Sequence, residues 1–550
     1  MSEAFDYIIV GGGSAGCVLA ARLSEDPDVS VLLLEAGGRD NNFLFHWPAG
    51  FAKMTKGIAS WGWSTVPQEH MMGREVWFTQ AKVIGGGSSI NAQVYTRGNQ
   101  ADYDNWAENY GCDGWSYCEV LPYFKRSEFN ECFENTFHGR EGDLGVSMPR
   151  ATLPICDAFI EAAKEFGIPH NPDFNGSQQA GVGYYQLTQK NAKRSSTSVA
   201  FLKSAEKRRN LRVITQAKAT RIVLKKGRAV GVEYLHKGRQ RLSETTREIV
   251  LTSGAIGSPN LLLLSGIGPA QHLTEVGIEV KHDLAGVGLN LQDHIDVCAI
   301  AELSGNYSYD GWDTFPKSTF AALQYLFLKS GPVASSLFET GGFWFSNKEQ
   351  TQPNIQFHLG QGSGLEKGIT RINGAGITLN SAHVRPRSRG TVRLNKSNHF
   401  VPLIDPNYWS DDHDLEMAYR GLEIAREILA QPALKKYVKR EVLPGSDLSS
   451  REQLFGYLCK MAKTDHHPVG TCKMGRDELS VVDPKLKVIG LDGLRVCDSS
   501  VMPQITSSNT NAPTIMIAEK GADLLRNRNP LPAANLPDNR ISSGRREASS

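Results

Sequence analysis

Hydrophobic residues near the N-terminus occur in short continuous runs separated by glycine and polar positions. The run Tyr7–Val10 is followed by a turn over Gly11–Gly16, and an apolar stretch then continues to Leu23. A second apolar run, Val29–Leu34, ends at Glu35. Short apolar runs bounded by turn residues are typical of buried strands. The pattern therefore predicts a strand, a tight glycine turn, a helix and a second strand.

The glycine turn carries the spacing G-x-G-x-x-G at Gly11, Gly13 and Gly16. The first glycine permits the turn, the second lets the backbone approach a pyrophosphate, and the third allows close helix–strand packing. The N-terminus of the following helix faces the phosphates. Glu35 lies nineteen residues beyond Gly16, where a carboxylate can accept a hydrogen bond from a ribose hydroxyl. Together these features predict a bound adenine dinucleotide.

Later apolar runs predict the rest of the sheet. Leu211–Ile214, Ala219–Leu224, Val230–Tyr234 and Arg247–Thr252 are short and separated by turns. A nucleotide-binding fold needs a third piece of sheet, and these strands supply it late in the sequence. The segment 414–429 predicts a helix.

Composition and charge narrow the classes of protein. The chain has 550 residues, which predicts two or more cores, or one large core with a second lobe. Lys and Arg number 60 against 58 Asp and Glu, without a basic block, so we predict no nucleic-acid partner. Nine scattered cysteines without metal-ligand spacing predict reduced thiols, no metal site and a cytoplasmic location. No signal region is expected and no run reaches the ~18 apolar residues of a spanning helix, while peripheral membrane attachment stays open.

A second glycine segment, Ala81–Asn91, holds three consecutive glycines and two serines. Its many uncovered N–H groups can wrap an anionic or carbonyl-bearing ligand. Further motifs follow at Gly254–Gly268, Gly286–His294, His467–Thr471 and Asn509–Thr514. In this order the segments resemble the signatures of the glucose–methanol–choline (GMC) oxidoreductases, flavoproteins that oxidise alcohols. The resemblance spans residues 5–526.

The resemblance implies an α/β chain, α+β overall. It predicts a Rossmann-like FAD-binding domain and a substrate-binding domain of antiparallel sheet plus helices. The FAD-binding domain is expected to be discontinuous, over residues 1–150, 195–305 and 465–530. The substrate-binding domain is expected over residues 151–194 and 306–464. Residues 531–550 lack periodicity and are rich in Pro, Asn, Arg, Ser and Ala, which predicts a disordered tail.

The resemblance also implies FAD as the cofactor. Ile90 stands where members with covalently attached flavin have a histidine, so FAD is expected to bind non-covalently. Backbone groups near Ala219 are expected to meet the adenine. The residues expected to bind the cofactor are Gly11, Gly13, Ser14, Ala15, Gly16, Glu35, Ala36, Lys82, Val83, Gly86, Gly87, Ser88, Asn91, Ala92, Val94, Ala219, Asp498, Ser499, Asn509, Asn511, Pro513 and Thr514.

Alcohol oxidation needs a hydride acceptor, a base for the hydroxyl proton and a donor that holds the oxygen. His467, in a segment similar to the family's catalytic one, is the expected base, because imidazole titrates near neutral pH. Asn509, at the family's second catalytic position, can hydrogen-bond the oxygen but cannot serve as a base. For His466, lining the substrate pocket, stabilising charge and facing away all stay open. Glu339 and Phe357 are candidates for the pocket, although a similar glutamate segment accompanies both choline and neutral alcohols in the family.

The chain looks nearest to bacterial aliphatic-alcohol dehydrogenases. This predicts oxidation of a primary alcohol to an aldehyde by hydride transfer to flavin N5, with electrons passed to a quinone or another acceptor that is not NAD. Alternatives are an alcohol oxidase of the aryl or furfuryl type that produces hydrogen peroxide, and a choline dehydrogenase. An FAD-dependent lyase and a non-catalytic flavoprotein form a different class. The expected partners are a small-molecule alcohol and an electron acceptor, in the cytoplasm or at the inner face of the membrane, with the oligomeric state left open.

Overall fold

The first sheet is built around Glu3–Val10, in a computed structural model that describes residues 3–367 and 369–536. This strand pairs in parallel with Val31–Leu34 on one side and with Arg239–Leu251 on the other. Among the described residues the spatial order of the sheet is Leu211–Ile214, Val31–Leu34, Glu3–Val10, Arg239–Leu251, Arg228–His236 and Ala217–Lys225, with Leu494–Val496 also paired to Arg239–Leu251. The strands predicted late in the sequence therefore complete the sheet that the N-terminal strands begin.

Two helices cover this sheet and pack against each other. The helix predicted after the glycine turn spans Ser14–Leu23, and its partner is Asn511–Leu525 near the C-terminus. Arg22 donates to the buried carboxylate of Glu519 with an Nη2–Oε1 distance of 2.8 Å. A buried charge is tolerated when it is paired in this way. The pairing joins the two ends of the sequence in one core.

The second sheet is antiparallel and comes from the middle of the chain. Its spatial order is Val438–Leu443, Ile295–Leu303, Gly376–His383, Ile355–Gly360, Thr340–Trp344 and Gly181–Tyr184, with Lys463–Thr464 beside Ile295–Leu303. One face packs against Asp412–Leu429, which contains the predicted helix 414–429, and against Pro154–Phe166. These two helices do not cover the other face of the sheet.

The remaining elements connect and cover the two sheets. The other α-helices are Phe51–Met54, Gln100–Tyr110, Tyr117–Ser127, Lys203–Ala205, Gly254–Leu264, Ala270–Glu275, Lys317–Leu328, Pro432–Lys435 and Arg451–Met461. Paired short strands are Trp63–Ser64 with Trp77–Phe78, Glu128–Asn130 with Leu144–Val146, Gln189–Lys190 with Lys193–Arg194, Ile267–Gly268 with His282–Asp283, and Thr391–Leu394 with Pro402–Asp405. Within the described residues, no helix is both long and apolar enough to cross a membrane.

The expected mixed α/β architecture is confirmed, while the domain boundaries stay a prediction. The C-terminal tail differs from expectation at its start. The N–H of Ala534 donates to the carbonyl of Cys118 at 2.8 Å, and the N–H of Leu531 donates to the Tyr123 hydroxyl at 3.1 Å. Residues 531–536 are therefore held by these hydrogen bonds, and the predicted disordered tail does not begin at 531. Residues 537–550 lie outside the described part.

Candidate active site

A cavity of about 320 Å³ extends from the first sheet to the second. Val10 and Leu34, at the carboxyl ends of two parallel strands, line one part, and His358 and Asn380 of the second sheet line another. In open α/β sheets, ligands bind outside the carboxyl ends of the parallel strands. The position of the cavity makes it the candidate site.

The two glycine segments meet at this cavity, and a glycine in each leaves no room for a side chain. A Cβ on Gly16 would lie 1.9 Å from the carbonyl oxygen of Gly11, and a Cβ on Gly86 would lie 2.6 Å from the Cα of Gly13. Gly13 precedes the helix Ser14–Leu23 without a capping side chain. The first N–H groups of a helix lack intrahelical partners and attract anions. The contact between the turns thus forms a backbone cradle suited to phosphate.

Glu35 marks the end of the second strand beside the cradle. Its Oε2 accepts from the N–H of Gly12 at 2.7 Å, and its Oε1 accepts from the N–H of Gly37 at 2.6 Å. Burial raises the pKa of the carboxyl to about 7, against the opposing effect of these hydrogen bonds. The carboxyl lies on the cavity wall, within reach of a ligand hydroxyl.

His467 lies on the cavity wall opposite Asn509, with Nε2 placed 3.2 Å from Asn509 Nδ2. Oδ1 of Asn509 accepts hydrogen bonds from Gln356 Nε2 and Thr96 Oγ1, each at 3.0 Å. With its oxygen occupied by donors, the amide donates from Nδ2 toward the histidine. Nε2 of His467 is therefore the acceptor, and the proton of the neutral ring is on Nδ1.

The orientation of the Gln356 amide follows from its neighbours. The Tyr185 hydroxyl donates to the carbonyl of Phe357 at 2.6 Å, so its oxygen is left to accept from Gln356 Nε2 at 3.5 Å. The contacts with Tyr185 and with Asn509 are both made by Nε2 of Gln356, so the amide nitrogen is directed toward Asn509. A chain of donors thus runs from Gln356 through Asn509 to His467.

The Nδ1 side of His467 faces a buried polar cluster. His294 Nδ1 lies 3.1 Å from it, and Asp465 Oδ2 lies 3.4 Å away. The backbone N–H of His467 donates to Asp293 at 2.8 Å, which holds the loop in position. Burial, and then the neighbouring imidazole of His294, lower the pKa of His467 well below 6.5, while burial raises the pKa of Asp465 well above 3.8. His467 is therefore neutral at neutral pH.

Sequence comparisons match the two halves of the chain to one family. Residues 5–296 match the N-terminal model and residues 386–518 the C-terminal model of GMC oxidoreductase. The chain belongs to the GMC oxidoreductases. It is 42% identical over 527 residues to an alcohol dehydrogenase (acceptor) of Pseudomonas putida, covering 95% of each chain. It is also 42% identical over 547 residues to an oxygen-dependent choline dehydrogenase of Chromohalobacter salexigens, covering 98% of each.

Solved structures of GMC oxidoreductases share the fold over nearly the whole chain. The pyridoxine 4-oxidase of Mesorbium loti superposes with a TM-score of 0.87 at 30% identity, over 96% of this chain and 100% of that one. The formate oxidase of Aspergillus oryzae gives a TM-score of 0.90 at 26% identity, over 96% and 98%. The latter is described with its FAD. This GMC oxidoreductase is an FAD-dependent enzyme that oxidises alcohols.

The cavity fits FAD. A Cβ on Gly87 would meet no atom within 4 Å, so the turn borders open space beside the cradle. Oδ1 of Asn260, on the cavity wall, is buried and lacks a hydrogen-bond partner among the described residues. Such an atom is accounted for when a polar ligand fills the cavity.

Most of the residues predicted to bind FAD line this cavity, although their contacts with the cofactor stay a prediction. Those on the wall are Gly11, Gly13, Ser14, Ala15, Glu35, Ala36, Val83, Gly86, Gly87, Asn91, Ala92, Val94, Ala219, Asp498, Ser499, Asn509, Asn511 and Thr514. Asn511 Oδ1 accepts from Ser14 Oγ at 2.7 Å, which joins the starts of the two covering helices. The site is thus assembled from both ends of the chain.

Four predicted cofactor residues do not line the cavity. Gly16 has the helix–strand packing role described above. Lys82 is exposed, with Nζ 4.7 Å from the centre of the Trp61 ring. Ser88 Oγ donates to the carbonyl of Gly85 at 2.6 Å and so closes the turn, and Pro513 is buried within the helix Asn511–Leu525. Ser88 and Pro513 thus support the site from behind.

Two of the three predicted pocket residues face away from the cavity. Phe357 points into the apolar core behind the second sheet, and its neighbour His358 lines the cavity instead. Glu339 is fully buried, and its Oε1 accepts from Ser335 Oγ at 2.6 Å, while Phe338 lines the cavity. Each prediction is wrong by one position, because successive residues of an extended chain face opposite sides. His466 does line the cavity.

Sequence reasoning missed polar groups around His467 and Asn509. Asp465 and Glu366 line the cavity, and Lys463 Nζ lies 2.8 Å from Glu366 and 2.9 Å from Asp296. Asp465 lies two positions before His467, and the motif that ends at His294 was a second signal in the sequence. His294, Asp465 and His467 bring ligand atoms within 4.8 Å of one another, which is the composition of a metal site. The predicted absence of a metal stays a prediction.

Proposed function

We propose that this enzyme oxidises a primary alcohol to an aldehyde, with His467 as the general base and Asn509 holding the substrate oxygen. His467 Nε2 takes the hydroxyl proton, and Asn509 Nδ2 donates a hydrogen bond to the same oxygen. FAD, when bound, supplies the acceptor for the carbon-bound hydride at flavin N5. The proton and the hydride thus leave the alcohol in different directions.

The protonation state of His467 is the observation that carries this proposal. Asn509 Nδ2 donates to Nε2 at 3.2 Å, so Nε2 carries a lone pair and no proton, and a substrate hydroxyl that takes the place of this contact can give its proton to Nε2. Burial lowers the pKa of the ring well below 6.5, which keeps Nε2 unprotonated at neutral pH. The ring that results from proton transfer carries a positive charge, and the carboxyl of Asp465 lies 3.4 Å from Nδ1, where it can stabilise that charge.

The electron acceptor we propose is a quinone or another carrier that is not NAD. The relative from Pseudomonas putida, named alcohol dehydrogenase (acceptor), supports this assignment. An oxidase that produces hydrogen peroxide is the alternative, supported by the fold shared with pyridoxine 4-oxidase and formate oxidase. The nine free thiols support a cytoplasmic location.

A cationic alcohol such as choline is the second candidate substrate. The carboxyl groups of Glu366 and Asp465 line the cavity, and relatives named oxygen-dependent choline dehydrogenase are 42% identical. Lys463 is the ion-pair partner of both Glu366 and Asp296, so one positive charge serves two carboxyl groups. A substrate ammonium beside Glu366 and Asp465 would add positive charge there. Glu339 takes no part in this candidate, because its carboxyl accepts from Ser335 Oγ and does not line the cavity.

An anaerobic titration of the purified enzyme tests the proposal. Octanol, benzyl alcohol, hydroxymethylfurfural, a sugar and choline are added in turn while flavin absorbance is followed, and air is then admitted. Bleaching by a primary alcohol, with fast turnover only after a quinone or dye is added, is the expected result. Rapid recolouring in air with peroxide identifies an oxidase. Absence of bleaching with every alcohol contradicts the proposal and favours a lyase or a non-catalytic flavoprotein.

A further inference from the structure

One helix of this protein carries its apolar side chains on the outside. Of the twelve residues in Lys317–Leu328, only Ala321 and Tyr325 are buried. Phe327 is 82% exposed and Phe315, just before the helix, is 84% exposed. A surface helix of a globular protein normally turns its apolar face to the core. We call the segment 315–329 the outer helix.

The outer helix is attached to the protein through Tyr325. The Tyr325 hydroxyl donates to the carbonyl of Ala192 at 2.8 Å, and its ring packs edge-on against Trp47 with centroids 5.5 Å apart. This attachment fixes which side of the helix faces the protein. The opposite side then presents the exposed apolar residues Phe320, Leu323, Leu326 and Phe327 to solvent, and Leu328 is exposed at the last residue of the helix.

The exposed apolar side chains of the outer helix together present a larger area than a single exposed residue does. Phe315, Phe320 and Phe327, exposed by 84%, 63% and 82%, present about 450 Å² if each full side chain offers ~200 Å². The three leucines of the same surface add to this. The total reaches the size of the largest apolar patch on a typical soluble monomer, roughly 300–600 Å², and such patches are often functional. A surface of this size needs an apolar environment to cover it.

The charges around the outer helix identify that environment. Residues 317–329 contain Lys317 and Lys329, one at each end, and no Asp or Glu. Lysines beside an apolar face attract anionic headgroups, because their ammonium groups are positively charged. Their stems lie along the apolar surface while the ammonium groups stay in water. Trp312, within 6.0 Å of the Lys317 ammonium, has the amphipathic ring favoured at membrane interfaces.

We propose that the outer helix docks this enzyme on an anionic lipid bilayer. A helix of twelve residues is ~18 Å long, too short to span the ~30 Å hydrocarbon core, so it lies in the plane of the interface. The apolar residues enter the acyl boundary and Lys317 and Lys329 contact the headgroups. The convex shape of the helix and its position outside the core suit a deformable lipid surface.

Docking at this position brings the membrane to one wall of the active-site cavity. Pro332–Ala334, directly after the outer helix, packs against Pro48–Gly50, and the next residue, Phe51, lines the cavity. A lipid-soluble alcohol or quinone could therefore pass between the bilayer and this wall. This consequence rests on the proposed function, whereas docking itself does not.

Co-sedimentation of the holoenzyme with vesicles tests the proposal. Vesicles of phosphatidylcholine with one-third phosphatidylglycerol are compared with vesicles of pure phosphatidylcholine. The variant Phe320→Gln/Phe327→Gln is expected to lose at least about tenfold in partitioning, because binding scales with the apolar area inserted. Lys317→Gln/Lys329→Gln is expected to weaken binding to the anionic vesicles alone. Leu242→Gln, which changes an exposed leucine on the first sheet, is the matched control and should bind as the wild type does.

Two further readouts make the result decisive. Flavin reduction without vesicles should be the same in Phe320→Gln/Phe327→Gln as in the wild type, because the outer helix contributes no residue to the cavity wall. This readout separates failure of docking from failure of the proposed chemistry. Wild-type enzyme that stays in the supernatant with anionic vesicles overturns the proposal. So does a wild-type dimer that ignores vesicles and that Phe320→Gln/Phe327→Gln converts to monomer, since the surface would then bind a second copy.

Discussion

The amide orientation of Asn509 can be tested by removing the two donors that hold its oxygen. Thr96→Val removes the hydroxyl at 3.0 Å from Oδ1, and Gln356→Leu removes the amide donor at the same distance. Without both, the amide can turn and present Oδ1 to His467. Nε2 would then carry the proton and could not act as the base.

The size of the effect follows from the number of hydrogen bonds lost. One neutral hydrogen bond contributes about 1 kcal/mol. A loss of about 1.4 kcal/mol lowers a rate tenfold, so each single variant should slow flavin reduction about fivefold and the double variant about thirtyfold. Asn509 keeps one donor in each single variant, which is why the double variant carries the larger effect.

The assay is single-turnover flavin reduction under anaerobic conditions with saturating alcohol. Thr378→Val is the matched control, because Thr378 is also buried in the second sheet and its Oγ1 donates to Gly362 at 2.9 Å, away from Asn509. The control should lose stability without losing rate. A double variant that binds FAD normally and reduces it at the wild-type rate would refute the assigned orientation.

Three further outcomes are expected. His467→Ala should slow flavin reduction by at least ~100-fold in the same assay, because the base is lost, and a near-normal rate would remove His467 from that role. The pKa of His467 is lowered by burial, so kcat/KM should stay level as pH falls through 6.5 and decline only at more acidic pH, where Nε2 binds a proton; a decline centred at or above 6.5 contradicts this. Acid precipitation should release all the flavin into the supernatant, because Ile90, packed between Phe45 and Val83, cannot form a histidyl link, and colour in the washed pellet would show a covalent bond.

Sequence alone determined those parts of the protein that depend on local chemistry. Gly11 and Gly16 had to be glycine because neighbouring backbone lies where a Cβ would be, and the G-x-G-x-x-G spacing indicates this without coordinates. The strand before the first turn and the helix after it followed from the run of apolar residues. His467 and Asn509 were found through their motifs, although they are 42 positions apart and meet only in the folded chain.

Tertiary structure alone decided which side chains face the cavity and which surround His467. Phe357 and His358 are adjacent on one strand, and the choice between them depends on which face of the sheet the core covers, which no local pattern specifies. His294 comes from a distant segment and meets His467 only because two separate parts of the chain pair in the second sheet. The outer helix is a similar case, since only the fold turns its apolar side chains to solvent.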